Sequence, residues 1–273
     1  MSSIKINNIT NESGTSGPVI SGISTVNSSG FMRVPSGDTR TRIVLPNENI
    51  VTDGLVLYLD AGKEASFGGD GTTWRDLSGE NNNGTLENGV GYTVDDGGSL
   101  IFDGVNDYVN CGNSLTQLTT EGTISTWCYL TDVSTDERLL VGKLDSGNPL
   151  SYGLYFNYYG ISSNSISFFV DSDGSWGPSS LVNSYNILPN TWYNFVGIWN
   201  NTGTFIYTNG TLSDSNSNII SAAVNTSSVR IGGGASGWTY WKGNIPQVSI
   251  YNRALTASEV LQNYNATKYR YES

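Results

Sequence analysis

Short runs of alternating apolar and polar residues recur along most of the chain. In the clearest run, 123–130, one face carries Ile124, Thr126 and Cys128 and the other carries Ser125, Trp127 and Tyr129. A period of two places successive side chains on opposite faces of a β-strand. About a dozen such runs follow Leu55, separated by turn-forming residues, and this spacing predicts a sandwich of two antiparallel sheets.

The later predicted strands complete this pattern. They are Leu139–Lys143, Tyr152–Tyr158, Ser165–Val170, Trp192–Trp199, Thr204–Thr208, Val229–Gly232 and Asn244–Tyr251. Asn209-Gly210 follows one of them and is a strong signal for a two-residue hairpin turn. The fold class predicted from these elements is therefore all-β.

The pattern changes to helical spacing near residue 256. Thr256 and Glu259 form a capping box, in which each side chain accepts a hydrogen bond from an exposed backbone N–H of the first turn. Val260, Leu261 and Tyr264 follow at helical spacing and predict one apolar face. A short helix is not stable alone in water, so we expect this one to dock on the β-domain that precedes it.

Seven pieces of the chain, taken in order, carry a family resemblance. They are Asp76–Leu86, Phe102-Asp103-Gly104 with Asp107-Tyr108-Val109, Thr123-Ile124-Ser125 with Trp127, Trp192-Tyr193 with Val196, Tyr207 with Asn209-Gly210, Ile231-Gly232, and the closing stretch from Gly243 through Ile250–Leu255 to Ser258–Val260. This series resembles the laminin-G-like, concanavalin-type jelly rolls over about residues 53–264. The resemblance implies a jelly-roll sandwich with a short C-terminal helix, a domain found in many phage virion proteins and bacterial surface proteins.

The chain departs from this family just before the core of the last strand. The family often carries an acidic residue there, whereas this chain has Pro246 and Gln247. A carboxylate role at that position is therefore not implied. Proline has no N–H to donate, which predicts an edge strand or a bulge.

Residues 1–50 differ from residues 51–273, which form the predicted jelly-roll domain. They contain no Trp, no Tyr and a single Phe, so they cannot bury a core of their own. The piece Gly30–Thr39 resembles a short motif of bacteriophage fibre proteins, where it precedes or builds intertwined trimeric β-structure. The resemblance implies an extended β-rich arm for attachment or trimerisation; a disordered leader is the alternative. The arm residues that it points to are Phe31, Met32, Val34 and Pro35.

Composition excludes several classes of function. The net charge is −11 and the sequence pI is near 4.3, so the surface repels phosphate backbones and we expect no nucleic-acid partner. The chain has no His, which removes the usual general base and the commonest metal ligand. Zinc sites and Ser-His-Asp catalysis are therefore not expected.

Two further features concern the cysteines and export. Cys111 and Cys128 are too few for a disulfide framework, and we expect two small buried residues, with a bridge between adjacent strands as the alternative. The first residues show no apolar signal region, and no run approaches the length of a membrane span. We expect a soluble chain that is not exported by an N-terminal signal and does not insert into a membrane.

Acidic side chains offer no catalytic pair but two candidate cation sites. Concanavalin-type glycanases use paired acids on one strand, and no strand here carries such a pair, so we expect no enzymatic activity. Asp171 and Asp173 precede Gly174 as in the start of a calcium loop, although the downstream bidentate Glu is missing. Asp76 is the candidate ligand at the second site. Calcium is the only cofactor that these residues suggest, and an ordinary structural turn is the alternative at each position.

Aromatic side chains in loops are the candidate ligand-binding residues. They are Trp176, Trp238, Tyr240 and Tyr158. Aromatic faces on the rim of a sandwich stack on the C–H faces of sugar rings. The alternative is packing against neighbouring side chains or another virion protein. Four other tryptophans are assigned to the core, namely Trp127, Trp192, Trp199 and Trp241.

These observations lead to one expected function and two alternatives. We expect a non-enzymatic phage virion protein, either a fibre or appendage subunit or a capsid decoration. It would be exposed on the particle and, as a homotrimer, joined to other virion proteins through the N-terminal arm. The displayed jelly roll would contact host-surface glycans. The alternatives are a secreted or surface carbohydrate-binding adhesin module and a polysaccharide depolymerase.

Overall fold

A computed structural model describes residues 49–115, 118–131, 133, 137–145, 148–158, 164–173, 178–234 and 240–271. Almost all of the predicted arm, including Phe31, Met32, Val34 and Pro35, lies outside the described residues. The boundary between residues 1–50 and residues 51–273 therefore stays a prediction.

One antiparallel sheet, sheet A, contains the first and the last strands of the described chain. Its members are β1 (Leu55–Asp60), β4 (Gly91–Thr93), β5 (Ser99–Asp103), β7 (Gly122–Leu130), β12 (Trp192–Asn200), β13 (Gly203–Thr208), β14 (Thr211–Asn216) and β16 (Lys242–Tyr251). They lie in the order β14-β13-β12-β7-β16-β5-β4, with β1 also paired to β16. The β13–β14 hairpin turns at Asn209-Gly210, as predicted, and both residues have positive φ angles of 50° and 77°.

The second antiparallel sheet, sheet B, holds the other eight strands of the described residues. They are β2 (Thr73–Trp74), β3 (Gly84–Glu87), β6 (Tyr108–Asn110), β8 (Arg138–Asp145), β9 (Asn148–Phe156), β10 (Ser165–Val170), β11 (Ser180–Tyr185) and β15 (Val229–Ile231). Their order is β11-β10-β9-β8-β15-β6-β3-β2. Two such sheets with one short C-terminal helix confirm the predicted all-β fold, which is consistent with a jelly-roll sandwich.

The core lies between the two sheets and follows the predicted alternation. It contains Ile124 and Cys128 from sheet A, and Leu154 and Phe168 from sheet B, each at most 2% exposed. Trp199 and Trp241 are also in this core, whereas Trp192 is only half-buried. Burial of apolar surface on this scale is the main stabilising contribution to the fold.

The last strand, β16, runs through the middle of sheet A. It pairs with β7 on one side and with β5 and β1 on the other. The register with β7 shifts between Asn244 and Gln247, so Pro246 lies in a bulge. The predicted bulge is correct, and the alternative of an edge strand is wrong. The carbonyl of Pro246 accepts a hydrogen bond from the Ala61 N–H, which uses the backbone group that proline retains.

Helix α1 (Ala257–Thr267) packs on the outer face of sheet A. The predicted capping box is present, with Thr256 and Glu259 exchanging hydrogen bonds. Val260 and Tyr264 of the predicted apolar face are buried, whereas Leu261 is 46% exposed. Asn263 is buried as well and donates to the hydroxyl of Tyr251, so a polar contact adds to the apolar one.

The C-terminal end of the described chain returns to β1 through a buried charge pair. Nη1 of Arg270 lies 2.7 Å and 2.9 Å from the two carboxylate oxygens of Asp60, which is 1% exposed. Tyr58 also donates to Asp60, and Gln247 donates to the Tyr58 hydroxyl. A buried charge requires such partners, because an isolated one is very unfavourable.

Both cysteines are free and buried, as expected, and burial raises the pKa of the Cys111 thiol to about 12. Cys128 lies in β7, whereas Cys111 follows the end of β6. No helix among the described residues is both long enough and apolar enough to span a membrane.

The capping carboxylate gives a pH-dependent prediction. The hydrogen bonds and charge of Arg253 lower the pKa of Glu259 from 4.5 to about 2. Glu259 therefore adds stability above its ordinary pKa, and this contribution is lost as the pH falls from about 4.5 towards 2. Because the pair is partly exposed, we expect Glu259→Gln to lower the free energy of unfolding by about 1 kcal/mol at pH 7.

Urea unfolding of the intact protein and of Glu259→Gln at pH 7 and pH 2.5 measures this contribution. The difference between the two proteins should shrink at the lower pH. An Asp53→Asn variant is the matched control, since Asp53 also pairs with Arg253 but is 86% exposed. A difference that is the same at both pH values would contradict the assignment.

Candidate functional site: the outer face of sheet B

Strand register brings side chains from six strands into one row on the outer face of sheet B, away from the core. Directly paired residues lie on the same face of a sheet. From the β3 side to the β10 side, the row is Thr85, Asn110, Arg230, Gly142, Gly153 and Phe169. Their neighbours along each strand, such as Val109 and Ile231, point into the core.

Tyr108, Arg230 and Tyr240 form a group on this face that we call the Arg230 cluster. The guanidinium carbon of Arg230 lies 4.7 Å from the centroid of the Tyr108 ring, a cation–π arrangement. Each of the three side chains is half-buried. The cluster therefore presents two aromatic rings and a guanidinium at the surface with their positions restricted by packing.

Residue 233 must be a glycine because the Tyr240 ring lies against it. A β-carbon placed on Gly233 would approach ring atoms of Tyr240 to 2.6 Å and the β-carbon of Tyr108 to 2.8 Å. The preceding Gly232 has a φ of +77° and lies against the Phe102 ring of the core. Because these two residues have no side chain, the backbone after β15 packs directly against Phe102 and Tyr240. This close approach allows Tyr240 to lie beside Tyr108.

Tyr158 belongs to a second aromatic group farther along the same face. Its ring centroid lies 5.7 Å from Tyr155 and 5.5 Å from Phe169, which are both buried. Burial raises the pKa of Tyr158, and the charges of Glu137 and Asp171 raise it further. At about 4.8 Å per strand, the three strand steps from Arg230 to Phe169 span roughly 14 Å. The Tyr158 group is packed more closely than the Arg230 cluster.

The two candidate aromatics in the described part of the chain, Tyr158 and Tyr240, lie at the same end of sheet B. Tyr158 follows the end of β9, and β15 runs antiparallel to β8 towards that same end, where Tyr240 lies. Trp176 and Trp238 lie outside the described residues.

The three candidate metal ligands have different surroundings. The carboxylate of Asp76 accepts four hydrogen bonds, from the N–H groups of Tyr58, Ser78 and Asn82 and from the Ser78 hydroxyl. These donors occupy its lone pairs, so Asp76 braces its own loop. Asp171 is fully buried and accepts from the Ser179 hydroxyl, whereas Asp173 is exposed.

Within the described part of the chain, no three His, Cys, Asp or Glu residues are grouped so that they could hold a metal ion. Asp76 lies beyond β2 at one edge of sheet B, and Asp171 follows β10 near the other edge. The three aspartates therefore do not form one shared site.

Sequence reasoning identified Tyr240 and missed Tyr108 and Arg230. Both missed residues lie in strands and were read only as parts of the sheet pattern. A signal was present, because Arg230 stands between the apolar Val229 and Ile231, and alternation places such a charge on the outer face. The contact between Arg230 and Tyr108 depends on pairing across about 120 residues and has no local signature.

The two-sheet sandwich, with the half-buried Arg230 cluster on the outer face of sheet B, can be compared with known families. A family model described as the concanavalin A-like lectin/glucanases superfamily, of the laminin-G type, matches residues 103–261. This match covers more than half of the chain, which therefore belongs to that superfamily.

Solved structures show a similar fold in proteins of similar length and in longer proteins. Domain 4 of a GH43 extracellular arabinanase from Geobacillus stearothermophilus, solved with arabinotriose, has a TM-score of 0.59 and 18% identity, over 77% of this chain and 98% of that one. The binding domain of botulinum neurotoxin DC, solved with SialylT, has a TM-score of 0.61 and 16% identity, over 79% of this chain and 52% of that one.

Trypanosoma rangeli sialidase has a TM-score of 0.57 and 16% identity, over 79% of this chain. This chain spans only 33% of the sialidase. At these identities the likeness concerns the fold alone. A comparison with curated proteins found no match.

The contact between Gly233 and Tyr240 gives a prediction about the cluster itself. We expect Gly233→Ala to lower the free energy of unfolding by about 2 kcal/mol, because the new methyl group overlaps the Tyr240 ring. In a Tyr240→Ala background the same substitution should cost less, since the overlap with the ring is gone. Urea unfolding of the four proteins of this double-mutant cycle measures the coupling. Purely additive effects would show that Tyr240 does not lie over Gly233.

Proposed function

We propose that this domain binds carbohydrate through the Arg230 cluster. The observation that carries the proposal is a guanidinium stacked on the half-buried Tyr108, with the half-buried Tyr240 beside that tyrosine, on the outer face of a lectin-superfamily sheet. The arabinanase domain and the toxin binding domain, which share the fold, were solved with sugar ligands. The likeness to them supports the choice of ligand class.

The chemistry of the cluster suits a sugar ring. The Tyr240 ring, beside the stacked Arg230 and Tyr108, provides apolar surface for the C–H groups of a pyranose. Arg230 and the neighbouring Asn110 provide donors and an acceptor for hydroxyl groups. A binding site with a few polar groups among aromatic side chains is the usual arrangement for small ligands.

We also propose the setting in which this binding acts, namely a phage virion. The support is the resemblance of residues 30–39 to a motif of phage fibre proteins. In this proposal residues 1–50 attach the protein to other virion proteins or to two further copies of the chain. The remaining residues then display the sugar-binding face outward. Several copies on one particle would add avidity to individually weak contacts with host glycans.

The proposed protein binds sugar without cleaving it. Retaining and inverting glycosidases place two carboxyl groups on either side of the scissile bond. No predicted strand carries such a pair, and the Arg230 cluster contributes a cation and two phenols. A secreted adhesin module would use the same face in the same way, whereas a depolymerase would release reducing sugar from host polysaccharide.

A glycan panel that includes arabino-oligosaccharides and sialyllactose tests the sugar-binding proposal. For the glycans that the intact protein binds, we expect Tyr240→Ala to weaken the affinity by about tenfold, because the substitution removes a stacking face. Tyr269→Ala is the matched control, since Tyr269 is 55% exposed and lies beyond α1 on the side of sheet A. Equal binding by all three proteins would overturn the proposed site, and no binding to any glycan would overturn the proposed function.

The proposed arm is tested by measuring mass in solution. The full chain should be a trimer, or should assemble on a partner virion protein, whereas a chain starting at Asn49 should be a monomer. Light scattering after size-exclusion chromatography distinguishes these states. A full chain that is monomeric and does not assemble with virion proteins would contradict the role assigned to residues 1–50.

A further inference from the structure

We propose that the Arg230 cluster recognises a sugar that carries a carboxylate, such as a uronic or a sialic acid. The inference rests on the proposed sugar-binding function and names the class of sugar. Its basis is the position of Arg230 on sheet B and the way in which the Tyr108 ring holds its guanidinium.

Arg230 is the only cation that faces outward from the described strands of sheet B. Those strands contain two other basic residues, Arg138 and Lys143. Arg138 pairs with the core residue Phe156 and is 5% exposed. Lys143 pairs with Val229 and Tyr152, is 1% exposed, and donates to the carbonyl of Ser227. Positive charge on the outer face is thus concentrated at one point.

The stacking on Tyr108 orients this charge. With its carbon 4.7 Å from the ring centroid, the guanidinium is held by the aromatic face, and Asn110 lies directly opposite on the neighbouring strand. Arginine is suited to carboxylates because its planar fork of N–H groups can donate two parallel hydrogen bonds. A restricted fork loses less entropy on binding than a freely rotating side chain.

Because the whole chain is acidic, binding of an acidic sugar would depend on the local charge of Arg230. With 13 basic and 24 acidic residues, the protein repels anions at long range. An acidic sugar would bind only where a specific contact offsets that repulsion. On the described strands of the outer face, Arg230 is the side chain whose charge can offer such a contact, and it lies near the Tyr240 ring, which can hold the ring of the sugar.

Glu87 provides an internal control of opposite charge. It pairs directly with Tyr108 on the strand β3 and is half-buried, so it lies near the cluster on the same face. Its carboxylate opposes an acidic ligand. Removing the charge of Glu87 and removing the charge of Arg230 should therefore change acid preference in opposite directions.

The test compares matched pairs of probes on the full chain by titration calorimetry. One pair is oligogalacturonate and the same oligomer with its carboxylates methyl-esterified; the other is 3′-sialyllactose and lactose. We expect the intact protein to bind the acidic member of at least one pair about tenfold more tightly, the value expected for hydrogen bonds to a charged group. A preference in the first pair would indicate a uronic acid, and a preference in the second pair would indicate a sialic acid.

Three variants assign the preference to its residue. Arg230→Gln should abolish the preference for the acidic member, and because it also removes a donor to hydroxyl groups, it should weaken neutral binding by a smaller factor than acidic binding. Arg230→Lys, which keeps the charge but loses the planar fork, should retain only part of it. Glu87→Gln should increase the preference, because it removes a carboxylate that repels an acidic ligand.

The outcomes separate this inference from the function on which it rests. If the intact protein binds each acidic probe no better than its neutral partner, or if Arg230→Gln keeps the preference, the inference is wrong. Neutral binding that depends on Tyr240 would then still support the proposed function. If no probe binds, both fail. The comparison on the intact protein decides the matter even if Arg230→Gln does not fold.

Discussion

The structure depends on the pairing of β16, the last strand of the chain, in the middle of sheet A. This strand pairs with β7 on one side and with β5 and β1 on the other, so sheet A is continuous only when β16 is in place. The partners lie more than 100 residues earlier in the sequence, and such non-local pairing closes late and slowly in folding. The helix that follows β16 then covers the outer face of the same sheet, and Arg270 pairs with Asp60 at the end of β1.

The same pairing places the candidate site. Strand β15 precedes β16 in the sequence but lies in sheet B, where it separates β8 from β6. Strand β15 ends at Ile231 in sheet B and β16 begins at Lys242 in sheet A, and Gly232 and Gly233 allow close packing where the chain leaves β15. Arg230 lies just before these two glycines, and Tyr240 lies just before β16. The cluster on the surface is therefore a direct consequence of how the last two strands divide between the sheets.

Polar contacts decide which arrangement of the apolar parts is adopted. Asn263 bonds both to the hydroxyl of Tyr251 and to the N–H of Val51, so it fixes the start of the described chain, the last strand and the helix together. Asp214 of β14 accepts from the N–H of Asn183 in β11, which joins the two sheets at one edge. Burial of apolar surface favours many compact arrangements, whereas unsatisfied polar groups exclude most of them.

The sequence by itself determined the features that arise from local patterns. The alternation in 123–130, the capping box at Thr256 and Glu259, and the hairpin turn at Asn209-Gly210 each depend on residues a few positions apart, and each is present. Strands β11 and β14 were missed, because their Ser, Asn and Asp residues give no clear alternation and their contacts lie across the sandwich. Only the tertiary structure decided that Leu261 is exposed while Asn263 is buried, and that Tyr108, Arg230 and Tyr240 meet. Those contacts join strands far apart in the sequence, and their register is set by the packing of the two sheets, which no short stretch of sequence encodes.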